Sequence, residues 1–382
     1  MSKEVVNGVR VWAREIDEKT LEQAERQARS DVVSGPIALM ADAHVGIGST
    51  IGSVIPTEGA IIPAAVGVDI GCGMIAVQTD LRAEDLPDSL DGLVGELGRS
   101  VPAGVGRGHQ AGSARANRWL AQHPAHGEFT SRQEEVSAKQ LGSLGSGNHF
   151  VEVCLDEEES VWALLHSGSR GIGNQLADKH IKLAKTLVQG LEDPNLAYFT
   201  QGTPDFTAYV DDMLWAQDYA LENREIMMDA VLNQLFRFVG AGSEVDRINC
   251  HHNFAARERH EGRDLWITRK GAINAAKGLL GVIPGSMGTK SYIVRGLGSA
   301  EAYHSSSHGA GRRMSRTRAR KELSVESLIE AMGERAWNSE APEKLLDEHP
   351  DAYKDIDQVM ADQRDLTEIV HTLHQVLNYK GF

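Results

Sequence analysis

The chain has 382 residues, of which 41% are hydrophobic and 24% are charged, and its formal net charge is −15 at pH 7. This composition is typical of a globular protein with a large core, and the negative charge argues against broad, sequence-independent attraction to nucleic acid phosphates. No apolar run approaches the roughly 20 residues of a membrane span, the N-terminus lacks the apolar stretch of a signal peptide, and three scattered cysteines cannot form a disulfide framework. These features predict a soluble, cytoplasmic protein that does not associate with membranes.

The predicted elements mix the two types of secondary structure. Helical periodicity is clearest over residues 18–30, 174–191, 206–240 and 355–379. Short β-branched runs bounded by glycine lie between them, namely "GMIAVQTDL", "HFVEVCL", "SVWALLHSG", "DLWITRKGAI" and "KSYIVRGLG". Because strands and helices do not alternate regularly, the pattern indicates an α+β fold with mixed sheets surrounded by helices. No linker or repeat divides the chain, so we expect one domain over 1–382 with a helical excursion at about 174–240.

Two glycine-rich stretches resemble nucleotide-binding motifs without matching them. The first, "HVGIGSTIG", has the spacing G-x-G-x-x-x-G, which differs from the dinucleotide fingerprint. In the second, "GVIPGSMGTKS", Thr289 separates Gly288 from Lys290, whereas a P-loop needs these residues to be contiguous. Each stretch remains a loop whose backbone N–H groups could bind an anion.

Metal-ligating residue types recur where strands meet small-residue loops. "GVDIGCGM" places Asp69 and Cys72 three residues apart in a glycine-rich turn. Histidines follow at similar places, namely His149 in "GSGNHFVE", His166 in "LLHSGSRG" and the doublet His251 and His252 in "CHHNFA". A tight turn with a buried thiol and separate structural histidines is the alternative, but the combination favours a catalytic or polynuclear metal site at strand ends. The residue types leave zinc and manganese both open.

The segment "SSSHGAGRRMSR" surrounds His308 with small residues and places arginines directly after it. Small neighbours allow a large group to approach the backbone, and arginines bind phosphate, so this segment predicts a phosphate site. The basic stretch 311–321 could contact RNA, although a solvated helix face that carries cations is the more ordinary interpretation.

Several long motifs resemble the RtcB family, the GTP-dependent RNA-splicing ligases. They are "DAHVGIGSTIG", "GVDIGCGM", "GSLGSGNHFVEV", "LLHSGSRGIGN", "CHHNFA", "RKGA", "IPGSMGTKSYIVRG", "SHGAGRRMSR", "AYKDID" and the terminal "KG". They run in family order from about residue 40 to the C-terminus, which is most of the chain.

The resemblance implies an RNA ligase that joins RNA 3′-phosphate or 2′,3′-cyclic phosphate ends to 5′-hydroxyl ends in RNA repair or tRNA splicing. It implies two Mn²⁺ ions held by Asp69, Cys72, His149, His166 and His252, with Cys72 bridging, and GTP as the co-substrate that guanylylates His308. The implied guanine nucleotide contacts are Asn148, Glu152, Asn253, Pro284, Gly285, Ser286, Met287, Ser291, Gly309, Ala310, Gly311, Tyr353 and Lys380. The resemblance leaves open the physiological RNA and the need for an accessory activator.

The sequence departs from the family pattern at one position and is ambiguous at another. Thr268 stands where many members have a histidine before "RKGA", and His251 adjoins the proposed ligand His252, which is chosen because asparagine follows it directly. Lys380 lies close to the C-terminus, where disorder is the default expectation, so a role in nucleotide binding requires the tail to fold back. Two other functions remain open: a metal-dependent phosphodiesterase or phosphatase without covalent guanylylation, and a non-enzymatic RNA-binding protein with structural metals.

Overall fold

A computed structural model describes residues 4–381, and its helices and mixed sheets confirm the α+β prediction. The helices are α1 (Glu18–Ala28), α2 (Pro63–Val66), α3 (Asp91–Ser100), α4 (Ala114–Gln122), α5 (Ser131–Gln140), α6 (Arg170–Leu187), α7 (Pro204–Val239), α8 (Arg316–Glu322), α9 (Val325–Met332) and α10 (Ile356–Asp362). The strands are β1 (Val5–Val6), β2 (Val9–Val11), β3 (Ile37–His44), β4 (Ile51–Thr57), β5 (Ala60–Ile61), β6 (Gly73–Arg82), β7 (Phe150–Leu155), β8 (Ser160–Ser167), β9 (Phe199–Thr200), β10 (Glu244–His251), β11 (Asn253–His260), β12 (Arg263–Lys270), β13 (Ala272–Asn274), β14 (Leu280–Pro284), β15 (Lys290–Gly296), β16 (Ser305–Ser307), β17 (Ala336–Trp337) and β18 (Thr367–Lys380). Among residues 4–381, none of the helices combines the length and the apolar character that a membrane crossing requires.

Two large sheets carry the fold. One has the strand order β1-β2-β3-β4-β12-β11, and the other has the order β10-β6-β8-β7-β18-β15-β14, with β17 paired to β18. Most neighbours are antiparallel, whereas β2 with β3 and β17 with β18 are parallel pairs. Short pairs of β13 with β16 and of β5 with β9 complete the strand pairing described by the structure.

The eight-stranded sheet is covered on both faces. Because successive side chains of a strand point to opposite faces, Ile75 and Val77 of β6 pack with Met227 of α7, whereas Met74 and Ala76 belong to a cluster on the other face. A strand buried on both faces reads as a continuous apolar run, which explains why "GMIAVQTDL" was recognisable in the sequence.

Three of the four predicted helices are confirmed, as α1, α6 and α7. The 36-residue α7 begins after Thr203, whose side chain accepts a hydrogen bond from the Phe206 N–H, and Pro204 occupies its first turn. The helix ends at Gly240, whose φ of +90° lies in the left-handed region that favours glycine.

The predicted helix over 355–379 is wrong beyond its first turns. Residues Ile356–Asp362 form α10, but Thr367–Lys380 form the long strand β18. This strand fills the place between β15 and β7 and pairs with both, so its backbone hydrogen bonds come from partners distant in sequence. Its β-branched residues suit a strand, and here the tertiary environment outweighs a helix-like spacing of apolar residues.

Candidate metal centre and the adjoining cavity

The residues predicted as metal ligands lie at one end of the eight-stranded sheet. The neighbouring strands β10, β6, β8 and β7 meet there, and the register pairs Gly73 with both Ser167 and His251, and His166 with Phe150. Cys72 precedes β6, His149 precedes β7, His166 lies at the end of β8 and His252 follows β10. Sheet register therefore brings together residues that are 180 positions apart in the chain.

The cluster is tight and built around the thiol of Cys72. Its Sγ lies 3.2 Å from His166 Nε2 and 3.5 Å from His149 Nε2. His166 Nε2 in turn lies 3.1 Å from His252 Nε2, and His149 Nε2 lies 3.1 Å from Asp69 Oδ2. All five side chains predicted as metal ligands thus belong to one connected group.

Hydrogen bonds at the opposite ring nitrogens orient two of the histidines. His149 Nδ1 donates to the carbonyl of Leu144 at 2.8 Å, and His166 Nδ1 donates to the carbonyl of Asn148 at 2.9 Å. In a neutral imidazole the other nitrogen is then an acceptor, so His166 Nε2 directs a lone pair into the cluster. His149 Nε2 hydrogen-bonds to Asp69 Oδ2, and a cation bound there would replace that proton and be held by both side chains.

The lowered pKa values of His166, His252 and Asp69 favour two neutral imidazoles beside an ionised carboxylate. Burial, together with the neighbouring histidines, lowers the pKa of His166 and of His252 well below the usual range. Burial acts to raise the pKa of Asp69, but hydrogen bonds from His149 and Cys72 outweigh it and lower the value to about 2. Burial and the Asp69 charge raise the pKa of the Cys72 thiol, so a cation is needed to favour the thiolate here.

A glycine makes room for the carboxylate. A Cβ atom at Gly168 would lie 2.1 Å from Asp69 Oδ1, so only glycine allows the end of β8 to approach the Asp69 turn this closely.

The histidine doublet separates into two environments. His252 joins the cluster, whereas His251 Nδ1 lies 2.9 Å from the Gly71 carbonyl and 3.2 Å from Arg224 NH2. Burial and the Arg224 charge lower the pKa of His251 to about 3. The structure thus brings the predicted member of the doublet to the cluster and places His251 against the loop that carries Cys72.

His308 lies directly beside this cluster. Its ring stands edge-on to that of His252, with the ring centroids 4.7 Å apart. Its Nδ1 lies 2.6 Å from Oδ2 of the fully buried Asp42, which also accepts the backbone N–H groups of His308 and Gly309. Because Asp42 occupies Nδ1, the opposite nitrogen Nε2 of His308 remains free to react.

Asp42 and its neighbour His44 were not predicted. They lie at the end of β3 in "DAHVGIG", and the preference for histidines and carboxylates where a strand meets a glycine loop would have indicated them. His44 Nδ1 lies 3.0 Å from the Asp42 carbonyl, and burial lowers the pKa of His44 to about 4. Gly311 has a φ of +72°, and a Cβ there would lie 2.1 Å from the Asp42 carbonyl oxygen.

A cavity of about 300 Å³ extends from His166 and His308. This volume lies at the lower end of the range for small-molecule sites. Of the predicted nucleotide contacts, the cavity is lined by Asn148, Glu152, Pro284, Gly285, Ser286, Met287, Gly309, Ala310, Gly311, Tyr353 and Lys380. The structure therefore unites most of the predicted contacts around one space next to His308.

Two predicted contacts lie outside the lining of this cavity. Asn253 is on the metal side, where its Oδ1 accepts the Gly271 N–H at 2.9 Å and its Nδ2 lies 3.4 Å from the Asp69 carbonyl. Ser291 is fully buried in β15, where it pairs with Pro284, and its hydroxyl lies beside Glu152 and acts to lower the pKa of that carboxyl.

A further part of the cavity wall is built around Glu348, which was also not predicted. Lys380 Nζ lies 3.2 Å from Glu348 Oε2, and the Tyr353 hydroxyl donates to the same oxygen at 2.7 Å. Arg312 stacks on the Tyr353 ring at 4.7 Å and contacts Glu348 at 3.4 Å. Burial acts to raise the pKa of Glu348, but the charges of Lys380 and Arg316 outweigh it and lower the value. The buried carboxylate of Glu348 is thus surrounded by three cationic side chains.

The expectation of disorder around Lys380 is wrong. Lys380 ends β18, and the preceding Tyr379 packs in the core beneath the eight-stranded sheet. Asn338 accepts the Lys380 N–H at 3.0 Å and donates to its carbonyl at 2.9 Å. Removing the last four residues would therefore disturb the sheet as well as the cavity.

The basic stretch divides between the cavity and the surface. Arg312 and Arg316 line the cavity, whereas Arg313 turns away and donates to the Asp351 carbonyl at 2.7 Å. Arg316 and Arg320 both pair with Asp347 at 3.0 Å. Most of α8 is thus a solvated, cationic helix face that begins at the cavity.

Thr268 lies in the middle of β12. It pairs with Ala255 on one side and Ile55 on the other, and its buried hydroxyl has no hydrogen-bond partner among residues 4–381.

Burial of Glu152 in the cavity wall leads to a testable pH dependence. Burial raises the pKa of Glu152 from 4.5 to about 8, even though the nearby charge of Lys380 acts in the opposite direction. Between these values the folded chain holds a proton that the unfolded chain has lost, so the free energy of unfolding falls as the pH rises through this window.

Glu152→Gln should remove this pH dependence while keeping an acceptor for Asn378, which donates to Glu152 Oε1 at 2.9 Å. We compare the unfolding free energy of the variant with that of the unchanged chain at each pH. From pH 5 to pH 8 this difference should shift in favour of the variant by on the order of 3 kcal/mol. Urea unfolding at the two pH values measures this difference. A constant difference would show that Glu152 titrates as a solvated carboxyl.

The fold and the site define an α+β protein in which a buried cluster of thiol, imidazole and carboxylate groups adjoins a ligand-sized cavity. The sequence model of the tRNA-splicing ligase RtcB family matches residues 23–381. The RNA-splicing ligase RtcB of Escherichia coli K12 is 44% identical, covering 98% of this chain and 97% of the relative. The tRNA-splicing ligase RtcB of Nanoarchaeum equitans is 30% identical, covering 96% and 92%, and the RNA-splicing ligase RtcB of Mycobacterium tuberculosis is 30% identical, covering 84% and 90%. The chain therefore belongs to the RtcB family, which confirms the resemblance drawn from the motifs.

Proposed function

We propose that this protein is a GTP- and Mn²⁺-dependent RNA ligase, which joins RNA 3′-phosphate or 2′,3′-cyclic phosphate ends to 5′-hydroxyl ends through a histidine–GMP intermediate. Family membership supports the ligase class. The observation that carries the covalent step is the position of His308, whose Nδ1 is held by Asp42 while its ring adjoins both His252 and the cavity. One domain and a cytoplasmic location, both predicted from the sequence, are part of the proposal.

The donor set fits a pair of divalent cations. Asp69, Cys72, His149, His166 and His252 would hold them, since contacts of 3.1 to 3.5 Å connect their ligand atoms. Cys72 would supply a thiolate, the three histidines would supply imidazole nitrogens, and the carboxylate of Asp69 suits manganese. When bound, such ions would offset the negative charge that develops on phosphate oxygens during phosphoryl transfer.

In the first step, His308 Nε2 attacks the α-phosphorus of GTP. A nitrogen–phosphorus bond forms, the bond from the α-phosphorus to the oxygen that bridges it to the β-phosphate breaks, and pyrophosphate leaves. The ring gains positive charge as this bond forms, and the carboxylate of Asp42 at Nδ1 stabilises that charge. Arg312 and Arg316 at the cavity wall supply cations near the nucleotide.

The part of the cavity around Glu348 would hold the guanine base. Glu152 and Lys380 offer a carboxyl group and an ammonium group there, and Tyr353 offers an aromatic ring stacked against Arg312. The turns Pro284–Met287 and Gly309–Gly311 bring backbone close to the nucleotide, in keeping with the glycine loops noted in the sequence. Contacts from Asn148, Asn253 and Ser291 stay predictions.

The next steps transfer the nucleotide to RNA. After any 2′,3′-cyclic phosphate has been hydrolysed, an oxygen of the RNA 3′-phosphate attacks the phosphorus on His308, and the nitrogen–phosphorus bond breaks. The 5′-hydroxyl of the second RNA end then attacks the activated 3′-phosphorus, and GMP leaves. Activation is chemically necessary because a bare phosphate monoester would have to expel oxide, whereas the guanylylated end expels GMP.

Incubation of the protein with Mn²⁺ and GTP labelled in the α-phosphate tests this function. A ligase should acquire label on the protein and release it as GMP when RNA with 3′-phosphate and 5′-hydroxyl ends is added, giving joined RNA. A metal-dependent phosphodiesterase or phosphatase would consume phosphate esters without labelled protein. A protein that binds RNA and neither takes up label nor joins ends would contradict the enzyme itself.

Cys72→Ala should weaken Mn²⁺ binding by at least about 100-fold, because even residues that only support a metal ligand contribute about 10- to 100-fold to affinity. Isothermal titration of the metal-free protein with Mn²⁺ measures the change. Cys154→Ala is the matched control, since this second buried cysteine lies in β7 away from the cluster. Equal Mn²⁺ affinity of the Cys72 and Cys154 variants would remove Cys72 from the ligand set.

A further inference from the structure

A second group of metal-ligating side chains lies at the far end of the β11–β12 hairpin, where β11 ends at His260. Glu258, His260 and His304 each offer one ligand atom, and these atoms all lie within 4.8 Å of one another. Glu258 and His260 are two residues apart on β11 and therefore share a face of the strand, while His304 comes from the turn that precedes β16. The mechanism proposed above makes no use of this group.

We propose that Glu258, His260 and His304 form a second metal site, which binds a divalent first-row transition ion such as Zn²⁺. Two imidazoles with one carboxylate form a common site for such ions, and three protein ligands leave positions open for water. His304 and Glu258 are half-buried, so an ion can enter from solvent, whereas His260 is buried. This site is distinct from the cluster at Cys72 and does not depend on the ligase function.

The ligand atoms are held in place before any ion binds. His260 Nε2 lies 2.9 Å from Glu258 Oε2, and the rings of His260 and His304 are 4.9 Å apart. Arg269, fully buried, donates to Glu258 Oε1 at 2.5 Å and to Oε2 at 3.2 Å. The shorter contact of Arg269 thus falls on Oε1, and Oε2 faces His260.

The same arginine ties the carboxylate to the turn that carries the third ligand. Arg269 also donates to the Tyr303 carbonyl and to the Ser305 hydroxyl, both at 2.8 Å. Tyr303 and His304 have φ values of +50° and +52°, which are unusual for residues other than glycine. The backbone around His304 is held by a hydrogen bond from its N–H to Ser299 and by one from the Ala275 N–H to its carbonyl. Strain of this kind persists only where the surroundings impose it, and here it presents an imidazole to the pair on β11.

Occupancy would connect the two parts of the chain that meet at this point. His304 is four residues before His308, and β16 between them pairs with β13. An ion on Glu258, His260 and His304 would fasten the end of the hairpin to the segment that leads to His308. It would therefore stabilise the folded protein against heating, as any ligand of the native state does.

Equilibrium dialysis of the metal-free protein against buffered Zn²⁺, followed by metal analysis, tests the site. We expect the unchanged chain to bind one more Zn²⁺ per molecule than His304→Ala, and His304→Cys, which keeps a zinc ligand, to match the unchanged chain. His126→Ala, which removes an exposed histidine near Asp211, is the control and should bind as the unchanged chain does. Equal Zn²⁺ content of the unchanged chain and His304→Ala would overturn the proposal.

A second variant keeps the result interpretable if His304→Ala folds poorly. His304→Gly removes the ligand and relieves the left-handed backbone, so it should fold at least as well as the unchanged chain. It should bind one fewer Zn²⁺ and lose the part of the Zn²⁺-dependent rise in melting temperature that this site provides. A full Zn²⁺ complement in a folded His304→Gly protein would equally overturn the proposal.

Discussion

Replacing His308 with alanine should abolish the transfer of label from α-labelled GTP to the protein, with a loss of at least about 1,000-fold in rate. Alanine leaves no nitrogen to attack the α-phosphorus from the position that His308 holds beside Asp42 and His252. RNA joining should disappear with the labelling, because both depend on the same intermediate. Gel analysis of labelled protein and of RNA ends measures the two losses.

The His308→Ala variant should still bind Mn²⁺ with the affinity of the unchanged chain, since the predicted ligands are other residues. His126→Ala, remote from the cavity, should label normally. Labelling of the His308→Ala protein at an appreciable rate would place the nucleotide on another residue. Loss of Mn²⁺ binding would instead show that His308 belongs to the metal cluster.

Replacing Asp42 with asparagine should lower the rate of labelling by about 10²- to 10⁴-fold while the Michaelis constant for GTP changes little. The carboxylate accepts the N–H at Nδ1 of His308 and so leaves Nε2 as the nucleophile. An asparagine that donates to Nδ1 would favour the tautomer with the proton on Nε2, which cannot attack phosphorus. Asp42 would then be a positioning residue that acts through His308.

Single-turnover labelling over a range of GTP concentrations separates the two effects, and NMR of the His308 ring reports its tautomer. Asp362→Asn, which alters a carboxylate that hydrogen-bonds to the Arg14 N–H, is a matched control away from the cavity. A labelling rate within about 5-fold of the unchanged chain would show that Asp42 does not orient His308. A parallel fall in GTP affinity would assign Asp42 a binding role.

The residues of the cluster around Cys72 could be predicted because their side-chain types occur in short local motifs. A strand begins or ends within each of the motifs "GVDIGCGM", "GSGNHFVE", "LLHSGSRG" and "CHHNFA". The structure places those strand ends together at one end of the eight-stranded sheet. The distinction between His251 and His252 was made from the family motif, and the structure separates the two by environment. Residue types alone did not separate zinc from manganese, since the site contains ligands that suit both.

Residues without a local motif were missed. Glu348 lies in a segment of short 3-10 helix that carries no catalytic signature, and only its contacts with Lys380, Tyr353 and Arg312 reveal it. Thr367–Lys380 was predicted as helix because apolar residues recur at a helix-like spacing. Pairing with β15 and β7 decided otherwise.

The sequence by itself determined the α+β class, the helices α1, α6 and α7, the residues that gather around Cys72 and the family. These properties follow from periodicity and from short motifs, which act within a few residues. Only the tertiary structure decided which nitrogen of His308 is free, because Asp42, which holds the other nitrogen, lies 266 residues away in the chain. Likewise only the structure placed Lys380 in a strand at the cavity, since backbone pairing between distant segments is decided by the packing of the whole sheet rather than by local preference.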